Sequence, residues 1–299
     1  MYHQPVLLEE SIEGLNIHPN GIYVDATYGG GGHSKKILEK LDNGRLIAFD
    51  QDLEAEDNIL DDGRLIFIKH NFRYMKNFVK YLGFHQLDGI LADLGVSSHH
   101  LDAPERGFSF RFEAPLDMRM DKEASLTASY VLNEYAPSRL QEIFRNYGEI
   151  RKTRSIVDAI MNYRQNEPIR TTSQLVDLLK SQTPEKTRNK FLARIFQALR
   201  IEVNHEVENL KYFLVQSKEM LKKQGRLAVI SYHSIEDRLV KNYTKTGNFE
   251  GEPVRDFYGN METPFRVINK KVITPSWEEV RGNNRARSAK LRIAEKSQG

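Results

Sequence analysis

The 299-residue chain contains no cysteine, which excludes disulfides, a thiolate nucleophile and the cysteine-ligated zinc of nucleobase deaminases. It has no apolar run of membrane-spanning length, and its start, Met1-Tyr2-His3-Gln4-Pro5, shows no basic region followed by an apolar core. These absences predict a cytoplasmic protein with no membrane contact. A strong charge of one sign is missing too. Lysine and arginine number 44 against 41 acids, a net charge of +3, which does not by itself identify a nucleic-acid binder. The excess gathers from Lys270 onward, where Lys271, Arg281, Arg285, Arg287, Lys290, Arg292 and Lys296 outnumber the acids and offer a basic end usable on phosphates. There is no internal repeat and no low-complexity linker. No metal is expected.

The most informative stretch is Ile22-Tyr23-Val24-Asp25 followed by Gly29-Gly30-Gly31-Gly32-His33-Ser34 and, further on, Leu46-Ile47-Ala48-Phe49-Asp50. A buried-strand run ends in four glycines where backbone comes close to something, and His33 to Leu41 continues as a short helix. A second apolar run ends in an acid roughly 20 residues later, where a doubly wound fold grips a ribose. The loop lacks the sixth-place glycine of a dinucleotide fingerprint, which is Ser34 or Lys35 here, and the Gly-Lys-Ser/Thr ending that cradles a triphosphate. With Asp25 placed to serve the amino group of a methionine moiety, S-adenosylmethionine fits better than a nicotinamide cofactor. Plain turns are the alternative reading of such glycines.

Helix-like segments from Leu53 to Leu60 and Phe72 to Leu82 alternate with strands at Leu65 to Lys69 and Asp88 to Gly95, which predicts a parallel sheet with helices on both faces. From about Pro104 to Asn204 the pattern is helical. Ser138 is a candidate cap for a helix through Leu140 and Phe144, and Thr172 for Leu175 to Leu179; Phe191 to Val203 and Val207 to Leu221 are further helices, the last closed by Gln224-Gly225. Arg226 to Ser231 resumes the sheet, and Phe265 to Ile268 and Ala289 to Ile293 are candidate closing strands. The expectation is an α/β, Rossmann-like domain formed by 1–103 and 205–299, interrupted by an all-helical domain at 104–204 that recognises substrate. Ligands of such sheets sit outside the carboxyl ends of the strands. That rim comprises Asp25 with the glycines, Asp50, the turn after Lys69, Asp93 and Ser231-Tyr232-His233-Ser234, and an insertion leaving after Asp93 would hang over it.

Seven motifs, in order, carry a resemblance that spans essentially the whole chain. They are GGGGHS (29–34), DLGVSS (93–98), RGFSF (106–110), PLDMRMD (115–121), FQALRI (196–201) with Val203-Asn204, SYHSIEDR (231–238) and RARSAKLR (285–292). On these the chain resembles the bacterial RsmH (MraW) family of small-subunit ribosomal RNA cytosine methyltransferases, which methylate the exocyclic amine of a cytosine in the decoding centre. The resemblance implies a class I S-adenosylmethionine-dependent methyltransferase sheet. It places Gly31, Gly32 and His33 against the cofactor, Asp50 on its ribose, Phe72 beside its adenine and Asp93 near its methionine end. It also implies 16S rRNA in the small subunit as partner. The family has Pro-Gln after DLGVSS where this chain has His99-His100, so His100 takes the place of a cofactor-touching glutamine and offers one hydrogen bond where an amide offers a donor and an acceptor.

Methyl transfer from a sulfonium is a direct displacement, and the difficulty lies in a cytosine amine whose lone pair is delocalised into the ring. An acid or a neutral histidine directed at the amino group meets that need. Asp93 is the expected acceptor, with Tyr232 and His233 contacting the base; a histidine satisfied by local hydrogen bonds is the alternative for His233. Phe108, Phe110 and Phe112, interleaved with Arg106 and Arg111, together with Arg145, Arg151, Lys152 and Arg154, form the expected RNA-facing set. A domain seam is the other reading of these residues. Three competing functions are a dinucleotide oxidoreductase, a DNA cytosine amino-methyltransferase, which would carry a Pro-Pro-aromatic signature, and a non-catalytic assembly factor that senses S-adenosylmethionine. The oligomeric state is open, a homodimer included.

Overall fold

The computed structural model describes residues 5–95, 104–255, 257–259 and 263–297. Helix α1 (Leu8–Leu15) turns Ile12 and Leu15 inward and carries Glu9 and Glu10 in its first turn, where carboxylates complement the helix dipole. Then come β1 (Ile22–Asp25), α2 (Gly32–Lys40), β2 (Arg45–Asp50), β3 (Leu65–Lys69), α3 (Met75–Tyr81) and β4 (Leu87–Asp93). Tyr23, Val24, Leu46, Ile47, Phe49, Ile90 and Leu91 are all buried, as strands covered on both faces require.

After β4 the described chain becomes helical: α4 (Ala128–Glu134), α5 (Pro137–Asn146), α6 (Arg154–Arg164), α7 (Thr172–Leu179) and α8 (Glu185–Val203). The sheet returns through α9 (Glu206–Met220), β5 (Leu221–Ser231), α10 (Ser234–Thr246), β6 (Phe265–Val267), α11 (Trp277–Gly282) and β7 (Lys290–Lys296). Strand order is β3-β2-β1-β4-β5-β7-β6. β1 to β5 pair in parallel, while β7 runs antiparallel to β5 and to β6. The order reverses between β1 and β4. A crevice therefore opens at their carboxyl ends, where open α/β sheets bind ligands.

The chain divides into two compact units, Met1–Gly95 with Val207–Gly299, and Val96–Glu206. The first has a core of Leu7, Leu15, Tyr23, Ile37, Leu46, Leu91, Ile230 and Leu291. The second closes its own core over Leu132, Leu140, Phe144, Ile160, Leu175, Ile195 and Leu199. Several local expectations shift. α5 starts at Pro137 with Ala136 as its cap, because a proline ring preset to helical φ makes the first helical residue and leaves Ser138 inside. α7 is capped by Thr171, in a capping box with Gln174, one residue before the expected Thr172. Leu53–Asn58 is 3-10. Gln224, at φ 65, lies within β5, whose register against β4 shifts between Leu87 and Gly89; the Gln-Gly pair bends a strand and does not end a helix.

Candidate active site

At the end of β1 the glycine loop turns on Gly31, whose φ of 73° suits glycine and whose absent Cβ would lie 2.7 Å from the Tyr28 hydroxyl. Gly32 opens α2, and a Cβ there would overlap Pro5 at 2.1 Å. A Cβ on Gly29 would meet nothing within 4 Å, so bare backbone faces open space at this turn. Asp50, ending β2, accepts the Gly29 N–H on Oδ2 (2.8 Å) and the Asp52 N–H on Oδ1 (2.9 Å). It thereby holds the loop to the neighbouring strand. Asp25 is fully buried. Its carboxyl accepts from the Ser34 hydroxyl (2.7 Å) and the Thr27 N–H (3.1 Å), and burial pushes its pKa up to about 6. The expected ligand for an amino group is thus an internal brace between β1 and α2.

β4 ends in Asp93. Its N–H donates to Thr27 Oγ1 (2.6 Å), and its Oδ1 accepts from the Tyr232 hydroxyl (2.8 Å). The side chain keeps 23% of its surface exposed. Burial pushes its pKa up to about 7, opposed by the Tyr232 hydrogen bond and reinforced by the negative charges of Asp25 and Glu236. His33 lies beside it, with Nδ1 4.0 Å from Asp93 Oδ2. Its Nε2 is 3.2 Å from the Val6 carbonyl; a carbonyl only accepts, so the proton is on Nε2 and Nδ1 carries the lone pair. Burial pushes the His33 pKa down to about 4.

Tyr232 is fixed from behind by Glu236 in the first turn of α10. Glu236 Oε2 accepts the N–H groups of Tyr232 (2.9 Å) and His233 (3.3 Å). His233 is the N-cap: its Nδ1 accepts the Glu236 N–H (3.4 Å) and its Nε2 stands 3.1 Å from Glu236 Oε1. Nδ1 is thus engaged as a cap, whereas Nε2, despite its approach to Glu236, is buried and makes no hydrogen bond among the described residues; Tyr232 presents its hydroxyl to Asp93.

The MraW methylase family model matches residues 1–297. The chain belongs to the MraW methylase family. It is 56% identical over 296 residues to the ribosomal RNA small subunit methyltransferase H of Flavobacterium johnsoniae, covering 99% of this chain and 98% of that protein. The protein of the same name from Bacteroides thetaiotaomicron is 54% identical, with 99% and 97% covered. Among solved structures, an rRNA methylase from Streptococcus thermophilus aligns over 100% of this chain and 99% of its own, at 12% identity and a TM-score of 0.44. Membership of the methylase family and the strand order β3-β2-β1-β4-β5-β7-β6 make the fold the Rossmann-like class I methyltransferase sheet, and its cofactor is S-adenosylmethionine.

The residues present fit that cofactor. Bare backbone at Gly29 and the first turn of α2 leave room for a nucleoside, the Asp50 carboxylate offers acceptor capacity to a ribose diol, and an acid at Asp93 suits a cationic methionine end. Three carboxyl groups at one rim disfavour a diphosphate. Phe72 follows β3 as the first residue of a 3-10 turn, half-buried and edge-on to Phe213 at 5.3 Å. Gly31, Gly32, His33, Asp50, Phe72 and Asp93 thus all stand in the sheet unit at or just beyond its carboxyl edge. His100 lies outside the described residues.

Some expected RNA contacts are structural. Arg106 is buried and donates to the carbonyls of Arg119 and Met120, Phe108 belongs to the core of its unit, and Phe110 packs edge-on against Phe196 at 5.6 Å. Phe112, Arg111, Arg145, Arg151, Lys152 and Arg154 are exposed. Of the basic end, Lys290 and Arg292 pair with Asp237, joining the SYHSIEDR and RARSAKLR motifs, and Lys296 donates to the Lys218 carbonyl. Thr27, Ser34 and Glu236 were not singled out from sequence. Glu236 was visible as the fourth residue of His-Ser-Ile-Glu, a capping box with histidine in the place of serine.

Proposed function

We propose that the chain transfers a methyl group from S-adenosylmethionine to the exocyclic N4 amine of a cytosine in the decoding centre (P site) of 16S rRNA, on the assembled small subunit. The observation that carries this reading is Asp93. It is a carboxyl at the crevice, fixed through one oxygen by Tyr232 and still partly open. When bound, the cofactor supplies an electrophilic methyl group on a sulfonium. The protein's part is to orient the amine, exclude water and take a proton. The Asp93 carboxylate accepts a hydrogen bond from the amino group, which localises the nitrogen lone pair, and holds the proton released as the new N–C bond forms.

His33 is the alternative resting place for that proton, but burial lowers its pKa to about 4 while raising that of Asp93 to about 7, which makes the carboxylate the stronger base. His33 therefore stays neutral and shapes the wall. His233, engaged in capping, positions Tyr232, so Asp93 is the catalytic residue of this reading. Gly31, Gly32, His33, Asp50 and Phe72 would hold the cofactor. A target base leaves its stack at a cost of a few kcal/mol in a duplex and less in a loop, which favours unpaired RNA. Among the described residues no helix is long and apolar enough to cross a membrane.

The test is transfer of labelled methyl groups to small subunits from cells lacking this protein, followed by nucleoside analysis. Label in N4-methylcytidine at one decoding-centre position is expected. Absence of label despite cofactor binding would overturn the enzymatic reading in favour of an assembly factor.

A further inference from the structure

Just beyond Phe72 the sheet unit carries a cationic and aromatic cluster that the site above does not use. The guanidinium carbon of Arg73 lies 4.9 Å from the ring centroid of Tyr212 on α9 and 5.2 Å from that of Tyr74 in its own turn. Both rings are open to solvent, Tyr212 at 54% and Tyr74 at 39%. Among the described residues Arg73 has no carboxylate partner, whereas the neighbouring Lys76 pairs with Glu219. The cluster is built into the fold. Gln216 of α9 accepts the Lys76 N–H (2.7 Å) and donates to the Arg73 carbonyl, so one side chain ties helix to turn. On the inner side Phe72 packs on Phe213, leaving Arg73 and Tyr212 to face outward.

We infer that Arg73, Tyr74 and Tyr212 form a docking site for single-stranded RNA on the methyltransferase unit, separate from the target-base site. A planar guanidinium between two rings is held at low entropic cost with its N–H donors free for a phosphate. Tyr74 is held by His70, edge-on at 4.7 Å, while Tyr212 keeps an exposed face, and a nucleobase stacks on such a face whatever its sequence. The position suits a strand running along the sheet's carboxyl edge, because Arg73 follows directly on the turn that ends β3. A protein partner would be expected to bring an acid to Arg73 but has no comparable use for an exposed stacking face beside it. This inference rests on the RNA reading proposed above.

The experiment measures binding of protein-free 16S rRNA by the full chain across a salt series. Arg73→Ala is expected to weaken binding about tenfold and flatten the salt slope by about 0.7, one phosphate contact on a single strand. Tyr212→Ala is expected to weaken binding about tenfold with the slope retained, and Tyr212→Phe to bind normally, since stacking needs the ring and not the hydroxyl. S-adenosylmethionine affinity, read by calorimetry, should be unchanged in all three, which shows that the unit is folded. Wild-type RNA affinity and slope in both alanine variants would overturn the inference. So would intact affinity for naked RNA with lost affinity for whole subunits, which would assign the patch to a ribosomal protein. Failure of the function itself reads differently, as wild-type protein that transfers no label.

Discussion

β1 and β4 are neighbours in the sheet, and each delivers an aspartate to the same edge. Asp25 is enclosed, with both carboxyl oxygens given to donors of its own unit, Ser34 and Thr27. Asp93 has one oxygen held by Tyr232 and keeps part of its surface open. Both are driven up the pH scale by burial, so a raised pKa does not separate brace from reactive group. Access does. An acid satisfied on all sides holds the loop, while an acid satisfied on one side can still meet a substrate.

The sharpest way to break this comparison is to remove each carboxylate in turn. Asp93→Asn keeps an acceptor for the Tyr232 hydroxyl and removes the proton acceptor, so turnover at saturating cofactor should fall by about 10²–10⁴, well beyond the loss of cofactor affinity that the missing charge brings. Asp25→Ala leaves the Ser34 hydroxyl and the Thr27 N–H buried without an acceptor, which costs about 1–3 kcal/mol of stability. Its turnover per folded molecule should remain within a fewfold of wild type. Paired methyl-transfer and chemical-unfolding measurements check both. A loss of chemistry at Asp25 equal to that at Asp93 would erase the distinction.

Acidity offers a second, smaller way to sharpen it. If Asp93 must be ionised to accept a proton, turnover rises with pH through about 7. The Tyr232 hydroxyl favours the carboxylate. Tyr232→Phe should therefore move the midpoint to higher pH, with a severalfold loss at neutral pH that recovers in alkaline buffer. Stability takes the opposite slope. Between the ordinary 3.8 and about 7 the folded chain retains an Asp93 proton that the unfolded chain has released, so stability falls as pH rises across that window. Asp25 adds the same trend up to about 6. A pH–rate profile unchanged by Tyr232→Phe would deny the hydrogen bond its role.

The two strand ends also differ in how far the sequence reveals them. The β1 side is local: Asp25, the glycines and Asp50 occur within one crossover, and periodicity with glycine spacing suffices to place them. The β4 side depends on Tyr232, 139 residues away. Nothing in the chain's periodicity says that its hydroxyl reaches Asp93 and not a base. Burial is equally non-local. His33 opens a helix, usually a surface position, but the segment before α1 covers it through the Val6 carbonyl. Arg106 and Phe108, alternating charge and ring in a pattern suited to RNA, are drawn inward because the carbonyls of Arg119 and Met120 need a donor. The antiparallel entry of β7 was likewise hidden, since an apolar run carries no direction.

The smallest expected effect tests the rear of the β4 side. His233 occupies the N-cap of α10, a position where asparagine is as good a partner for the N–H of the third helical residue as any side chain. His233→Asn should retain that bond to Glu236 and, through the Glu236 carboxylate, the placement of the Tyr232 backbone. Stability should change by less than about 1 kcal/mol, and turnover should stay within about twofold with the same pH midpoint. His233→Ala removes the cap, so it should lower stability by about 1 kcal/mol and loosen Tyr232, visible as a modest shift of that midpoint. The asparagine variant decides between capping and chemistry because it restores one and not the other. Should it lose as much turnover as Asp93→Asn, the imidazole itself takes part in proton transfer, and the division between a catalytic carboxylate and a supporting cap would have to be redrawn.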